Sequence, residues 1–400
     1  MRRRKTHAKQ NRVAIDPGST VIAPPEKVRH HLVSPVADDA LVGMSEAEWT
    51  EEMRENFARL TAIQPSRKAA VVVTMRDDGV SILDWIAHYR ALGFAGIFVY
   101  SNDNRDGSDA LLSKLARHGV ITFIENRTSG GVSPQRKAFA HSLHFLPELR
   151  DFEWVFYSDS DEFLCLAPRY GNHVSAVLED VSTQFADRLP AAICYHWKWF
   201  VSGDIYARTP GLLLTRFQHA ESHHAFKSIV LLRDVMSMHL LHFPEVREPG
   251  FLVDSDLQPL AETASIDEVW QKGMQSPRYA GGHIRHYWNK SFQEFAIKKY
   301  RGDALTLEDN DYRREFDLFF DWNKPEKKQN FDPPDRSLLD AVERELAGLR
   351  ALPGVQEMER HFEDNFLDLL APLGGDGALR SMYEKMLRRQ SAKRKRLSQE

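Results

Sequence analysis

Between Lys68 and Ser158 the chain alternates strictly between short β-branched runs and amphipathic stretches, and this constrains its fold more than any other feature. "AAVVVTM" (69–75) is short and valine-rich, as a buried strand is. In "SILDWIAHYRALG", Ile82, Trp85, Ile86, Tyr89 and Leu92 fall at helical spacing and Gly93 supplies the stop. "AGIFVYS", "DGSDALLSKLARHG", "VITFIEN", "SPQRKAFAHSLHFL" and "EWVFYS" continue as strand, helix, strand, helix, strand. Gly119 closes the second helix; Ser133 caps the third, with Pro134 in its first turn. Such alternation predicts an α/β fold: a mostly parallel, Rossmann-like sheet with right-handed crossovers and helices on both faces. Ligands of such sheets bind at the carboxyl ends of the strands.

The fourth strand ends in "WVFYSDSDEFL" (154–164), where Asp159, Asp161 and Glu162 crowd three carboxylates into four positions. Folding does not ask for that repulsion, so a positive partner is expected there. Residues two apart on an extended segment point the same way, so Asp159 and Asp161 face one site and Ser160 turns away. Two hard carboxylates at a strand end suit Mg²⁺ or Mn²⁺, which share their coordination sphere with substrate phosphates. The bland alternative is a solvated acidic turn; the position after a fourth alternating strand favours the metal.

After Phe163 the pattern loosens. "AAICYHWKWF", "LLLTRF", "KSIVLL" and "MSMHLLHF" are expected as shorter, mixed or antiparallel strands, and the chain turns helical from about Asp335. We divide it into a flexible N-terminal arm with a short helix (1–65), an α/β domain (66–305) and a helical C-terminal extension (306–400). The 400 residues are ample for a real core, with 42% hydrophobic and 28% charged residues. A formal net charge of −4 argues against nucleic acid as a partner. Two cysteines, Cys165 and Cys194, exclude a disulfide framework and fit a reducing, cytoplasmic setting. No apolar stretch approaches the ~20 residues that span a bilayer. The basic ends, "MRRRKTHAKQNR" and "RRQSAKRKRL", are solvated tails or contacts to an anionic membrane face.

Four stretches together resemble the GT-A glycosyltransferases of the family 2 and family 92 group: "VVVTMRDDGVSILDWIAHYRALGF", "IFVYSNDNRDGS", "VFYSDSDEFL" and "HIRHYWNKSFQEFAIKKYRG". The resemblance runs from about Ala70 to Asp303. It implies a nucleotide-diphosphate sugar donor (a UDP- or GDP-sugar) with its diphosphate on a divalent metal, Mn²⁺ or Mg²⁺. Asp159 and Asp161 would then hold metal and ribose beside Ser160. Thr74, Arg76 and Asp78 on one loop and Asn102 and Asp106 on the next would frame base and ribose. Two places depart from the family pattern: Arg76-Asp77-Asp78 stands where Lys-Asn-Glu is usual, and Ser101-Asn102 where Asp-Asn is usual.

Further candidates follow from local chemistry. Gln135, Arg136 and Lys137 open a helix, where backbone N–H groups favour anions. Trp197 and Trp199 are offered as an acceptor-side wall. Asp204 is the first choice of base for the acceptor hydroxyl and Glu221 the second. His239 is taken as third metal ligand ahead of His242; His223, His224 and Lys227 lie nearby. His286, Lys290, Lys299 and Arg301 are placed to close over the diphosphate. The expected activity is transfer of a sugar, with inversion, to a glycan or lipid-linked hydroxyl. Alternatives are a metal-dependent nucleotidyltransferase, disfavoured because "TMRDDGVS" has one glycine, and a catalytically weak sugar-binding scaffold.

Overall fold

The valine-rich run is the strand on which the sheet is built. In a computed structural model, the chain is described over residues 30–33, 51–127, 132–238, 241–242, 244–246, 250–261, 276–302, 316–323 and 330–397. Strand β1 is His30–Val33, β2 Arg67–Met75, β3 Gly96–Ser101, β4 Thr122–Asn126 and β5 Phe152–Asp159. They lie in the order β1-β4-β3-β2-β5, all parallel. In β2, Ala69, Val71, Val73 and Met75 enter one core while Ala70 and Val72 enter the other. Burial on both faces is why a continuous apolar run marks a central parallel strand. β1 lies in the stretch read as an arm and adds an edge strand beside β4.

The helices between these strands are α1 Glu51–Thr61, α2 Ile82–Ala91, α3 Ser108–Arg117 and α4 Pro134–His144. Gly93 adopts φ 80° just beyond α2, where a side chain would be strained. The Ser133 hydroxyl accepts from Arg136 N–H at 3.3 Å, the expected cap of α4.

Beyond β5 the sheet turns mixed, as expected. β6 is Glu162–Leu166, β7 Ala192–Val201 and β8 His219–Leu231. β8 runs antiparallel to β5 and to β7. A later strand, Gly282–His286, inserts between β6 and β7. One expectation is corrected: "LLLTRF" is not a strand. Leu213–Arg216 make a single helical turn, because the Asp84 carboxylate accepts from Leu213 N–H at 2.8 Å and pins the segment's start. "KSIVLL" is the end of the much longer β8. "MSMHLLHF" yields only the short strand Val235–Ser237 among the described residues.

After helix α5, Val174–Gln184, and the single turn α6, Leu213–Arg216, helix α7, Phe292–Arg301, follows the inserted strand; Ser291 and Glu294 form a capping box at its start. The C-terminal helices Arg336–Arg350, Val355–Asp364 and Gly375–Leu397 come last. Leu338, Val342, Leu346, Leu349 and Phe362 join the core on the α2 side of the sheet. Phe366, Leu370, Tyr383 and Met386 build a third core with Phe292 and Phe295 of α7. The C-terminal helices therefore pack directly on the α/β domain. No helix among the described residues is long and apolar enough to cross a membrane.

His88 of α2 gives the fold a pH dependence. It is wholly buried, its Nε2–H donates to the Leu164 carbonyl at 2.8 Å, and burial pulls its pKa down to about 4. The unfolded chain takes up this proton below about pH 6.5 and the folded chain does not. Stability is therefore lost as pH falls from about 6.5 to 4, at ~1.4 kcal/mol per pH unit for this group. Burial lowers His144 to about 4 as well, so urea unfolding at pH 7, 6 and 5 should show more than that slope, and His88→Gln should flatten it by one proton; equal slopes in both proteins would disprove the assignment.

Candidate active site

The positive partner demanded by the acidic cluster is two lysines. β5 ends at Asp159 and β6 begins at Glu162, so Ser160 and Asp161 make the turn at the carboxyl end of the parallel sheet. Lys227 of β8 is 1% exposed and sits 3.1 Å from Asp159 Oδ2 and 3.9 Å from Glu162 Oε2. Burial would lower its pKa, but Asp159 and Glu162 outweigh burial and raise it, so the ammonium stays charged. Glu162 goes the other way: burial, and then the Asp159 charge, push its carboxyl well above the usual range. Lys298 of α7 donates to Asp161 Oδ2 at 2.6 Å, with His286 Nε2 at 3.6 Å from Oδ1. Burial works against the Asp161 charge, yet Lys298 and His286 hold the carboxyl well below the usual range.

The neighbouring strand ends bring most of the donor candidates together. Thr74 of β2 is the register partner of Asp159. Gln135, at the start of α4, donates to Asp159 Oδ1. Lys137 instead turns into the protein and donates to the Arg127 carbonyl at 2.7 Å; Arg136 keeps a buried Nε without a partner. Asp78 contacts Arg301 at 3.1 Å, and Ser160 hydrogen-bonds to the same carboxylate. Arg301 also donates to the Arg76 carbonyl, so α7 clamps the first loop. Lys290 lies just before α7 in a left-handed conformation, φ 49°. Burial lowers its pKa against the opposing pull of Asp78, Asp161 and Glu294.

The turn after β3 is organised around itself. Asp77 is held by Arg105 at 2.7 Å and by two backbone contacts. Asn102 donates to Asp103 at 2.9 Å. Asp106 accepts from Gly79 N–H at 2.8 Å and from Ser108 N–H at 2.9 Å, so both its oxygens fasten the loop.

Trp197 and Trp199 project toward a histidine cluster rather than standing alone. The Trp197 ring is 4.2 Å from His286, 5.5 Å from His223 and 5.4 Å from His242. Trp199 adds contacts to His286 at 5.0 Å and Trp288 at 5.8 Å. His286 therefore links the tryptophans to Asp161. Glu221 is the cross-strand partner of Trp199, which puts it on the same face. Asp204 lies in an exposed loop whose carbonyl accepts from Tyr383 of the last helix at 2.5 Å. Lys299 faces Trp288, 4.6 Å from its ring. His242 Nδ1–H donates to the Phe226 carbonyl at 2.8 Å; His239 lies outside the described residues.

No set of three or more His, Cys, Asp or Glu side chains converges as a metal cage among the described residues. Asp159 is a poor ligand here, since Gln135 and the buried Lys227 take its two oxygens. Asp161 Oδ1 with His286 Nε2 is a better pair, and the buried His286 Nδ1 has no partner. An Asp–His pair completed by substrate phosphates suits Mn²⁺ or Mg²⁺.

Beside Asp161 lies a cavity of about 290 Å³, bounded by Asp78, Lys290, Lys298 and Arg301 on one side and by Phe362 and Phe366 on the other. Lys298, Glu162 and Asn289 were not assigned roles from sequence. For Lys298 the signal existed: Glu294, Lys298 and Arg301 are four and three residues apart, which puts them on one helix face and turns Lys299 aside.

Breaking the buried pair should cost stability. Lys227→Met is expected to lower unfolding free energy by about 3 kcal/mol, the low end for such pairs because Asp159 is 31% exposed. Lys227→Met/Asp159→Asn should recover much of that loss in a urea-unfolding double-mutant cycle. Additive losses would show that the two groups are not coupled.

Comparison with known proteins places this sequence in a family. The sequence model of glycosyltransferase family 92 matches residues 75–316, from the end of β2 to the start of the helix after α7. A search of curated proteins gives no match. Among solved structures, S. aureus TarS (residues 1–349) is similar at 11% identity and a TM-score of 0.28, covering 77% of this chain and 92% of that one. The same TarS fragment in complex with UDP matches equally, at 11% identity, 77% and 92% coverage and a TM-score of 0.28. Longer TarS coordinates match at 12% identity and a TM-score of 0.28, covering 75% of this chain and 54% of that one. With more than half of its length matched by the family model, and the acidic turn and α7 inside that match, the chain belongs to glycosyltransferase family 92.

Proposed function

We propose that this glycosyltransferase takes its sugar from a nucleotide-diphosphate donor whose diphosphate lies between Asp161 and the two lysines Lys290 and Lys298. The observation that carries this reading is the pairing of Lys298 with Asp161 at 2.6 Å, beside a half-buried Lys290 held at φ 49°. Non-glycine residues in that conformation cost energy and concentrate at functional sites. Transfer breaks the bond between the anomeric carbon and the diphosphate oxygen, and the bonding electrons leave with the diphosphate. Lys290 and Lys298 stabilise that growing charge where water is largely excluded. A divalent metal held by Asp161 and His286 would add Lewis-acid stabilisation of the same leaving group. Asp159, fixed by Gln135 and Lys227, is left to orient the ribose.

The acceptor hydroxyl, on a glycan or a lipid-linked sugar, attacks the opposite face and inverts the centre. Its proton passes to a carboxylate. Of the two candidates we favour Glu221, because the register sets it beside Trp199 and hence on the His286 side of the sheet. Glu221→Gln should lower kcat by about 10²–10⁴-fold and leave donor affinity unchanged.

The donor site is tested by thermal unfolding with UDP, GDP, CDP and dTDP, each with and without Mn²⁺. A nucleotide that binds only the folded chain should add ~2.7 kcal/mol at a hundredfold excess over its Kd. The gain should vanish in Asp161→Asn. Absence of a gain with every nucleotide would sink the donor reading.

A further inference from the structure

Asp78 lies on the loop after β2 and Lys290 just before α7, and with Asp106 they line one cavity. The relative placement of loop and helix therefore sets the spacing of these groups. Arg301, the last residue of α7, ties that end of the helix to the loop through Asp78 at 3.1 Å and the Arg76 carbonyl. The other end of α7 has a separate attachment. The Glu294 carboxylate accepts from Ser291 N–H at 3.1 Å and from the Ser291 hydroxyl at 2.6 Å, next to Lys290. The same carboxylate accepts from Arg216 at 2.6 and 3.1 Å and lies 3.8 Å from Arg208.

Arg208, in the loop after β7, carries the connection onward. It donates to Glu363 at 2.7 Å and to the Val80 carbonyl at 3.4 Å, and its backbone N–H donates to Gln293 Oε1 at 2.8 Å. One guanidinium thus joins α7, the first loop and the C-terminal helix Val355–Asp364. That helix lies beyond residue 316, where the family match ends. Its Phe362 makes a second contact. A Cβ on Gly79 would meet Phe362 Cδ1 at 2.7 Å and Asp106 Oδ2 at 2.9 Å, so the ring packs directly against the loop backbone beside Asp78.

These contacts fix an angle. Glu294 and Arg301 are separated by about 10 Å along the helix axis. A helix tied at one end can pivot against the loop; one tied at both ends cannot. The junction at Glu294 sets two guanidinia against two carboxylates. Arg208, Arg216 and Glu294 are 5–7% exposed and Glu363 is 27% exposed. Without the Glu363 charge, Arg208 and Arg216 are left to compete for Glu294, which is also the capping partner of Ser291. A buried charge that loses its partner is costly, so the surrounding groups rearrange to answer it. The groups within reach are Ser291, next to Lys290, and the Val80 carbonyl, next to Gly79.

We propose that Phe362 and Glu363 are positioning residues for glycosyl transfer: the C-terminal helix Val355–Asp364 holds the Asp78 loop and the Lys290 turn at the spacing the donor requires. The helix acts through Gly79 and Arg208 and touches no reacting atom. The inference rests on the donor reading above, and it makes a segment outside the family-matched region a working part of the site.

The test compares Glu363→Gln and Phe362→Leu with a control on the same helix. Glu359→Gln breaks the ion pair to Arg350, 2.7 Å, away from the loop. Each full-length protein is titrated with UDP, GDP, CDP and dTDP in the presence of Mn²⁺, and backbone hydrogen exchange is followed at Gly79 and Ser291. Glu363→Gln and Phe362→Leu should each weaken the nucleotide that wild type binds by about tenfold. Exchange should become about tenfold faster at Gly79 and Ser291 in Glu363→Gln, and at Gly79 in Phe362→Leu, while the amides of β2 and β5 keep wild-type rates. Glu359→Gln should match wild type in both measurements. A purely structural role would speed exchange within 355–364 and leave Gly79, Ser291 and affinity unchanged, and that result overturns the inference. Faster exchange at Gly79 and Ser291 with wild-type affinity overturns it too, as does equal weakening by Glu359→Gln. Failure of wild type to bind any of the four nucleotides would instead remove the donor reading, and this inference with it.

Discussion

The architecture of the site depends on how three crowded carboxylates are kept at one strand end. Asp159, Asp161 and Glu162 are tolerated because Lys227 comes from β8 and Lys298 from α7, neither adjacent in sequence. The compensation therefore exists only once β8 has paired antiparallel with β5 and α7 has folded back over the turn. The two lysines are not equivalent. Lys227 is 1% exposed, so its pairing with Asp159 is fixed. Lys298 is 27% exposed and sits on a long flexible stem, so it can yield Asp161 to a ligand.

A second charged junction, Arg208 with Glu363 and Glu294, decides what the C-terminal helices are for. Buried ion pairs often contribute little net stability, because desolvation offsets the attraction. Their geometry is nonetheless demanding: Arg208 must face two carboxylates from different elements at once. Apolar packing of Phe366 and Leu370 on α7 supplies the attraction, and Arg208 fixes the register of the contact. A helical segment attached only by greasy contact could slide by a turn; this one is keyed to the loop that carries Asp78.

The parts of the fold legible in the sequence were those governed by local periodicity. The four alternating strands, the Ser133 cap and the helical C-terminus follow from patterns within a dozen residues, and they place Asp159 and Asp161 at a ligand-binding edge. The loosened pattern after Phe163 was harder. "LLLTRF" has the composition of a strand, but the hydrogen bond from Leu213 to the distant Asp84, with backbone bonds back to Leu212, makes it a helical turn. In the site, Asp78, Gln135, Lys290 and Arg301 do gather near the acidic turn, whereas the oxygens of Asp106 serve the loop itself and Lys137 is spent on a buried carbonyl. Lys298 was recoverable from helical spacing. Lys227 was not, because an unremarkable strand lysine becomes critical only through the register of β8 against its neighbours. The contact of Phe362 with Gly79 has no sequence signal at all, since it is made by tertiary packing alone.

Two features near the site run against what folding alone would select. Lys290 holds a backbone conformation that glycine or asparagine adopts more easily, and Asn289 beside it buries an amide with no partner. Each costs stability, and a leucine or glycine would remove the cost. They are consecutive, they precede a helix with a full capping box, and they sit where the catalytic domain meets the C-terminal segment. Strain and unsatisfied polarity at adjacent positions, on a rigidly capped element, are what a binding surface looks like before its ligand arrives. The well-satisfied network around Arg208 and Glu294 supplies the rigidity that lets those two residues stay in place.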